Sequence, residues 1–260
     1  MMVNEIIDNF VDERQTGLVP ACTRDGIERN DQTMTALPFE PAAAELPQEC
    51  TAQEVIRALE FDILFGRLKP RERLVEDVLM ARFGAKRHIV RRSLDELERM
   101  GIVVRMPNRG AAVRDFTAQE VEEVYELREL LQRQAVERMP LPVSQDHIAA
   151  LREIQERHDT AVRAADLRTV DQVNDAFHRQ FFAACGNSHL ADAIAHYAHL
   201  TRAMRVYPML DPDMLAKLRD EHWAMIHALE REDREALKLL VVQHLQPSKA
   251  AYLKVRRELG

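Results

Sequence analysis

Two groups of side chains in this sequence could do chemistry. Over residues 82–92 stand Arg82, Lys86, Arg87, His88, Arg91 and Arg92, with no acidic residue among them. A guanidinium presents a planar fork that matches guanine O6 and N7 in a DNA major groove and, equally, phosphate oxygens. Arg87 and Arg91 are four apart, so a helix carries them on one face, opposite Val90 and Leu94. The same run also fits the solvated basic face of an ordinary helix. The second group offers nitrogen ligands. Asn174 and His178 are again four apart and could grip one ion, and His222 and His244 add imidazoles set among apolar neighbours. Spacing alone does not separate this group from ordinary core or surface histidines.

Capping signals and periodicity define the elements that must hold these groups. Thr51-Ala-Gln-Glu54 is a capping box, in which hydroxyl and carboxylate each satisfy a free backbone N–H, so the first helix is expected to begin there. Val55, Leu59, Ile63 and Leu64 carry it at helical spacing towards Gly66 and Pro70. A short helix over about 75–83 meets Gly84, and a third over about 87–100, apolar at Ile89, Val90, Leu94 and Leu97, stops at Gly101. Residues 102–106, 107–110 and 111–114 read as strand, turn and strand. Asn108, Arg109 and Gly110 form the tip, from which Arg109 could reach the DNA backbone or minor groove. Three helices and a hairpin make a winged helix-turn-helix.

A second capping box, Thr117-Ala-Gln-Glu120, opens a purely helical pattern. Six helices are expected, over about 118–138, 146–164, 170–184, 189–206, 212–230 and 234–256, with breaks at Pro140, Pro142, Gly186-Asn187, Pro208, Asp211-Pro212 and Asp233. The fold class is therefore mainly α: an N-terminal winged helix-turn-helix over 51–114 and a C-terminal all-α bundle of about six helices over 115–256. Residues 1–50, with three prolines over 36–47 and no sustained periodicity, read as a disordered arm.

Composition bears on the partners. At 260 residues and 46% hydrophobic, the chain can bury a core in each of two domains. A net charge of −7 would by itself argue against nucleic acid, yet the charge is segregated: −7 over 1–50, +5 over 51–114 and −5 over the remainder. Cys22, Cys50 and Cys185 show no CxxC spacing and are odd in number, so neither a disulfide framework nor a thiolate zinc site is indicated. No apolar run is long enough to span a membrane or serve as a secretory signal, and the cytoplasm is the expected compartment.

Leu68-Lys-Pro-Arg-Glu-Arg-Leu74, Glu76, Leu79, Phe83-Gly84, Arg87, Val90-Arg91, Leu94, Leu97, Gly101 and Asn108-Arg-Gly110 resemble the N-terminal domain of the GntR family of bacterial regulators, with Lys86 where the family usually has serine. Arg128, Asn174-Asp-Ala-Phe-His178, Gly186-Asn187, Glu221-His222, Ala228, Asp233 and His244-Leu245 are similar to the FCD ligand-binding domain of the FadR subfamily, with Gln132 where a glutamate is common. The resemblance implies that Asn174, His178, His222 and His244 bind a divalent transition metal, Zn, Ni, Mn or Fe, at the centre of the bundle. Asn in place of Asp leaves the metal more positive, which favours an anionic effector, a small carboxylate with Arg128 as its second anchor. Arg202 and Arg205 could also face this cavity, but helix periodicity does not decide it and they are expected at the surface.

The expected function is that of a homodimeric regulator, a repressor rather than an enzyme, on a palindromic double-stranded operator, its affinity modulated by that effector. The alternative is a metal-dependent hydrolase or lyase using the three histidines. It lacks a base, because Asp175 and Glu221, as helix neighbours of proposed ligands, point about 100° away and are expected to face elsewhere. A metal that only braces the bundle is a third reading.

Overall fold

The first helix among the described residues, α1 (Ala52–Leu64), starts where its cap requires. The Glu54 N–H donates to Thr51 Oγ1 at 3.3 Å while the Thr51 N–H donates to Glu54 Oε2 at 2.7 Å. This is a computed structural model, and it describes residues 50–106 and 110–259. The arm expected over 1–50, save Cys50, and the wing-tip residues Asn108 and Arg109 lie outside the described residues.

The chain divides into two compact units, 68–114 with the segment ending at Asp62, and 115–260 with 63–67. In the first, α1 is followed by β1 (Arg73–Leu74), α2 (Glu76–Phe83), α3 (Arg87–Arg99), β2 (Val103–Met106) and β3 (Gly110–Val113). Gly84 ends α2 in the left-handed region, at φ 58°, and its N–H bonds the Met80 carbonyl; a side chain there would be strained. That turn sets α3 against the core, where Val90, Leu94 and Leu97 are fully buried. The Ser93 hydroxyl bonds Ile89 O at 2.9 Å and reaches Ala52 O on α1 at 3.1 Å.

The wing is larger than the hairpin expected. Its antiparallel sheet runs β1-β3-β2, with Arg73 paired to Ala112 and Leu74 to Ala111. A two-residue strand is too short to produce alternation, so β1 leaves no periodic signal.

The second unit is all helical: α4 (Ala118–Arg138), α5 (Gln145–Arg163), α6 (Leu167–Ala183), α7 (Ser188–Leu200), α8 (Val206–Met209), α9 (Pro212–Glu230), α10 (Arg234–Gln243) and α11 (Gln246–Leu259). The capping box at Thr117 is formed as read. Two expected helices differ. The one expected to reach 206 ends at Leu200, continued by a single 3-10 turn, Arg202–Met204. The one expected to run to 256 breaks at His244-Leu245. Pro247 explains the second break, since it has no N–H to continue the ladder and its ring collides with the carbonyl four residues back, yet it is tolerated in a helix's first turn.

The core of this unit gathers Ala135, Leu151, Phe177, Phe181, Met225, Ile226 and Leu237 from five helices. Arg234, at the start of α10, closes the end of α4: its guanidinium donates to Glu137 O at 2.7 Å and Met139 O at 2.9 Å, satisfying carbonyls that a helix end leaves without partners.

Candidate functional site

The basic run falls on and around α3. Lys86 caps it, and the side chains of Lys86, Arg87, His88, Arg91 and Arg92 are exposed, as is that of Arg82 at the end of α2. Arg87 and Arg91 share a face, but that face is not uncompensated, as the run alone suggested. Arg87 Nη2 lies 2.7 Å from Asp77 Oδ1, and Arg91 Nε lies 2.9 Å from Glu76 Oε2. Arg105 of β2 comes within 3.8 Å of the same Glu76 and also pairs with Asp95. Arg82 pairs with Asp62. Glu76 and Asp77 were missed because they belong to the preceding helix and reach α3 only across the turn. With side-chain exposures of 52% and 58%, Arg87 and Arg91 hold these carboxylates through water-screened pairs worth a fraction of a kcal/mol, so exchanging them for phosphate oxygens costs little. Gly110 opens β3 at φ 80°, a conformation that suits glycine at the wing's turn.

In the helical unit, α6, α9 and the break after α10 bring three imidazoles together. His178 Nε2 stands 3.2 Å from His244 Nε2, and His222 Nε2 also stands 3.2 Å from His244 Nε2. His222 and His244 are buried and His178 partly so. Phe177 stacks on the His222 ring at 4.1 Å, and His158 of α5 tilts against it at 5.1 Å. Burial, and then the neighbouring His244 ring, hold the His178 and His222 pKa values well below the ordinary range, so both are neutral and keep a lone pair. Burial likewise lowers His158 to about 4. Asn174 lies one turn before His178 on α6, half-buried.

The second ring nitrogens of His222 and His244 are engaged. His222 Nδ1 meets Gln155 Oε1 at 2.9 Å, and His244 Nδ1 meets Glu221 Oε2 at 2.8 Å. Glu221 was expected to face away. The break after α10 sets His244 alongside α9, close enough for both Glu221 and its neighbour His222 to reach it despite their angular separation. An imidazole whose Nδ1 donates to a carboxylate or amide oxygen directs the lone pair of Nε2 at the centre, the arrangement that metal-bound histidines show. The donor set therefore fits a divalent metal of imidazole preference.

Beside this centre lies an arginine cluster. Arg128 of α4 is 6% exposed, donates from Nη1 to Thr201 Oγ1 at 2.8 Å and lies 5.0 Å over the Tyr125 ring. Its Nε has no hydrogen-bond partner among the described residues, and burial lowers its pKa. Arg202 and Arg205, expected at the surface, instead face inwards, drawn by the Asp171 and Asp175 carboxylates. Arg205 contacts Asp175 at 2.7 Å and Asp171 at 3.2 Å, and Arg202 bonds the buried Asp171. Burial would lower the Arg205 pKa, but the Asp175 and Asp171 carboxylates outweigh it and hold it up. Asp175 thus serves arginines rather than the imidazoles. The charges of Arg205 and Arg128 are both near enough to depress the His178 pKa further.

No helix among the described residues is long and apolar enough to cross a membrane. Residues 51–113 match the model of the GntR family of bacterial regulatory proteins, and residues 123–247 match that of the FCD domain. The chain is 25% identical over 183 residues to the HTH-type transcriptional regulator YdhC of Bacillus subtilis, covering 70% of this chain and 82% of that one. It is 24% identical over 217 residues to the HTH-type transcriptional repressor RspR of Escherichia coli, covering 82% and 93%. Among solved structures the fold is similar to McbR/YncC of E. coli, at TM-score 0.63 and 21% identity over 78% of this chain and 98% of that one. It is also similar to a GntR transcriptional regulator from Rhodococcus sp. RHA1, at TM-score 0.64 and 21% identity over 78% and 97%.

Proposed function

From the premise that this chain belongs to the GntR family, carries an FCD domain and is a DNA-binding transcription regulator rather than an enzyme, we propose that it is a cytoplasmic repressor controlled by a small carboxylate. In this reading residues 51–114 bind DNA and 115–256 sense the effector. Arg82, Lys86, Arg87, His88, Arg91 and Arg92, with Asn108, Arg109 and Gly110 of the wing, contact the operator. The N-terminal part of α3 enters the major groove, where Arg87 and Arg91 exchange their carboxylate partners for bases and phosphates. Two copies related by a two-fold axis read a palindromic site.

The observation that supports effector control is the convergence of three Nε2 atoms beside an arginine whose charge no carboxylate among the described residues contacts directly. His178, His222 and His244, with Asn174, would hold Zn, Ni, Mn or Fe. Bound there, the metal supplies positive charge that a carboxylate oxygen can meet. Arg202 and Arg205 are already neutralised by Asp171 and Asp175, which leaves Arg128 to present its fork to the anion. The alternative of a hydrolase or lyase finds no base, because Asp175 is engaged by Arg205 and Glu221 by His244.

The test is electrophoretic retardation of the protein's own promoter DNA at low salt. Wild-type protein is expected to retard it, with affinity falling steeply as salt rises, and Arg87→Ala and Arg91→Ala are each expected to lose about tenfold or more. Equal retardation by all three proteins would remove the support for α3 as the reading helix.

A further inference from the structure

The candidate metal centre treats two of its imidazoles differently, and the difference lies in Gln155. His244 is faced directly by a carboxylate, Glu221, whereas His222 is faced by a neutral amide, which can offer either its oxygen or its NH2 group. Which end it offers decides which nitrogen of His222 carries the proton. Were the NH2 group to face Nδ1, the ring would accept there, carry its proton on Nε2 and lose that lone pair to the centre.

Resting on the metal reading above, we propose that Gln155 is a positioning residue that locks His222 as the Nδ1–H tautomer, and that Asp159 and Trp223 lock Gln155. Trp223 Nε1 can only donate, and it lies 3.2 and 3.0 Å from the two Asp159 oxygens, so that carboxylate accepts. Asp159 Oδ1 is also 2.9 Å from Gln155 Nε2, and the Arg219 carbonyl lies 3.4 Å from the same nitrogen. Both are acceptors, so turning the amide round would set its oxygen against two oxygens. Gln155 Oε1 is thereby held towards His222 Nδ1, at 2.9 Å, and must accept a proton from it. Gln155 is fully buried, one turn before Asp159 on α5, so no water competes for either end.

The relay thus makes His222 Nε2 a lone pair before any metal arrives, and passes the influence of the Asp159 charge to the centre through an uncharged amide. A ligand histidine loses about 10–100-fold in metal affinity when such a partner is removed.

Long-range 15N–1H correlation spectra of the histidine-labelled, metal-stripped full-length chain read the tautomer directly. Zinc affinity is measured in parallel by competition with a chromophoric chelator. Wild-type protein is expected to show His222 as Nδ1–H. Gln155→Leu is expected to populate Nε2–H and to bind zinc about 10–100-fold more weakly, and Gln155→Glu, which keeps an acceptor, to restore Nδ1–H. If the leucine variant does not fold, Asp159→Asn replaces it, with a mixture of tautomers expected. An unchanged Nδ1–H signal in Gln155→Leu, or in Asp159→Asn where that stands in, overturns the proposal, as does zinc affinity equal to wild type. If wild-type protein binds no zinc, the metal reading fails, while the tautomer spectra still decide the role of Gln155.

Discussion

His222 and His244 meet through their Nε2 atoms at 3.2 Å while each Nδ1 is taken by its own acceptor, Gln155 for one and Glu221 for the other. The two Nε2 atoms so held face each other, and His178 aims a third ring nitrogen at the same place. In the proposed reading a cation among these nitrogens makes them a ligand set.

Metal content follows. Purified wild-type protein is expected to carry about one divalent metal per chain, with His178→Ala and His222→Ala losing it in elemental analysis. Chelation should lower the Tm by several degrees, since an ion that binds only the folded state stabilises it by mass action. Unchanged stoichiometry in both variants would sink the assignment.

The metal-free protein should lose stability in mild acid. His158 has a folded pKa of about 4, lowered chiefly by burial, against about 6.5 in an unfolded chain. Between these values the unfolded state holds the extra proton, so the stabilisation is complete above pH ~6.5 and fades as pH falls towards 4. His158 alone accounts for about 3 kcal/mol over that window, and His178 and His222 act in the same direction. Denaturant midpoints at a series of pH values measure it, and a flat profile from pH 7 to 5 contradicts the burial of these rings.

Arg128→Gln keeps a polar side chain at the site and removes the fork. Small carboxylates that raise the wild-type Tm are expected to bind this variant about tenfold or more weakly, while its metal content and promoter binding stay as in wild type. Equal thermal shifts in both proteins would show that the anion is anchored elsewhere.

Arg234→Ala tests the scaffold rather than the site. It strips the carbonyls of Glu137 and Met139 of their charged donor at the end of α4, with an expected loss of about 1–3 kcal/mol in chemical denaturation. Promoter binding at low temperature should be untouched.

Much of this was legible in the residues. Capping boxes at Thr51 and Thr117, the glycine after α2 and the proline-marked breaks signal structure within a few residues of themselves, so the order of elements and the phase of Arg87 and Arg91 on α3 could be read locally. The histidines that meet at the centre were nameable too, although as a set only by resemblance, since 66 positions separate His178 from His244.

Whatever depends on near neighbours along the chain could be read from the residues: the order of the helices, the segregation of charge, and the face each residue takes on its own helix. Tertiary structure alone decided the partners. Glu76 reaches Arg91 only across the helix turn, Gln155 meets His222 only when α5 and α9 pack, and Arg202 and Arg205 turn inwards because Asp171 and Asp175 of α6 await them. Such pairs join residues about 15 to 67 positions apart. No periodicity along a chain encodes which face of one helix will be pressed on another; the collapse of the apolar core sets that, and the polar contacts follow from it.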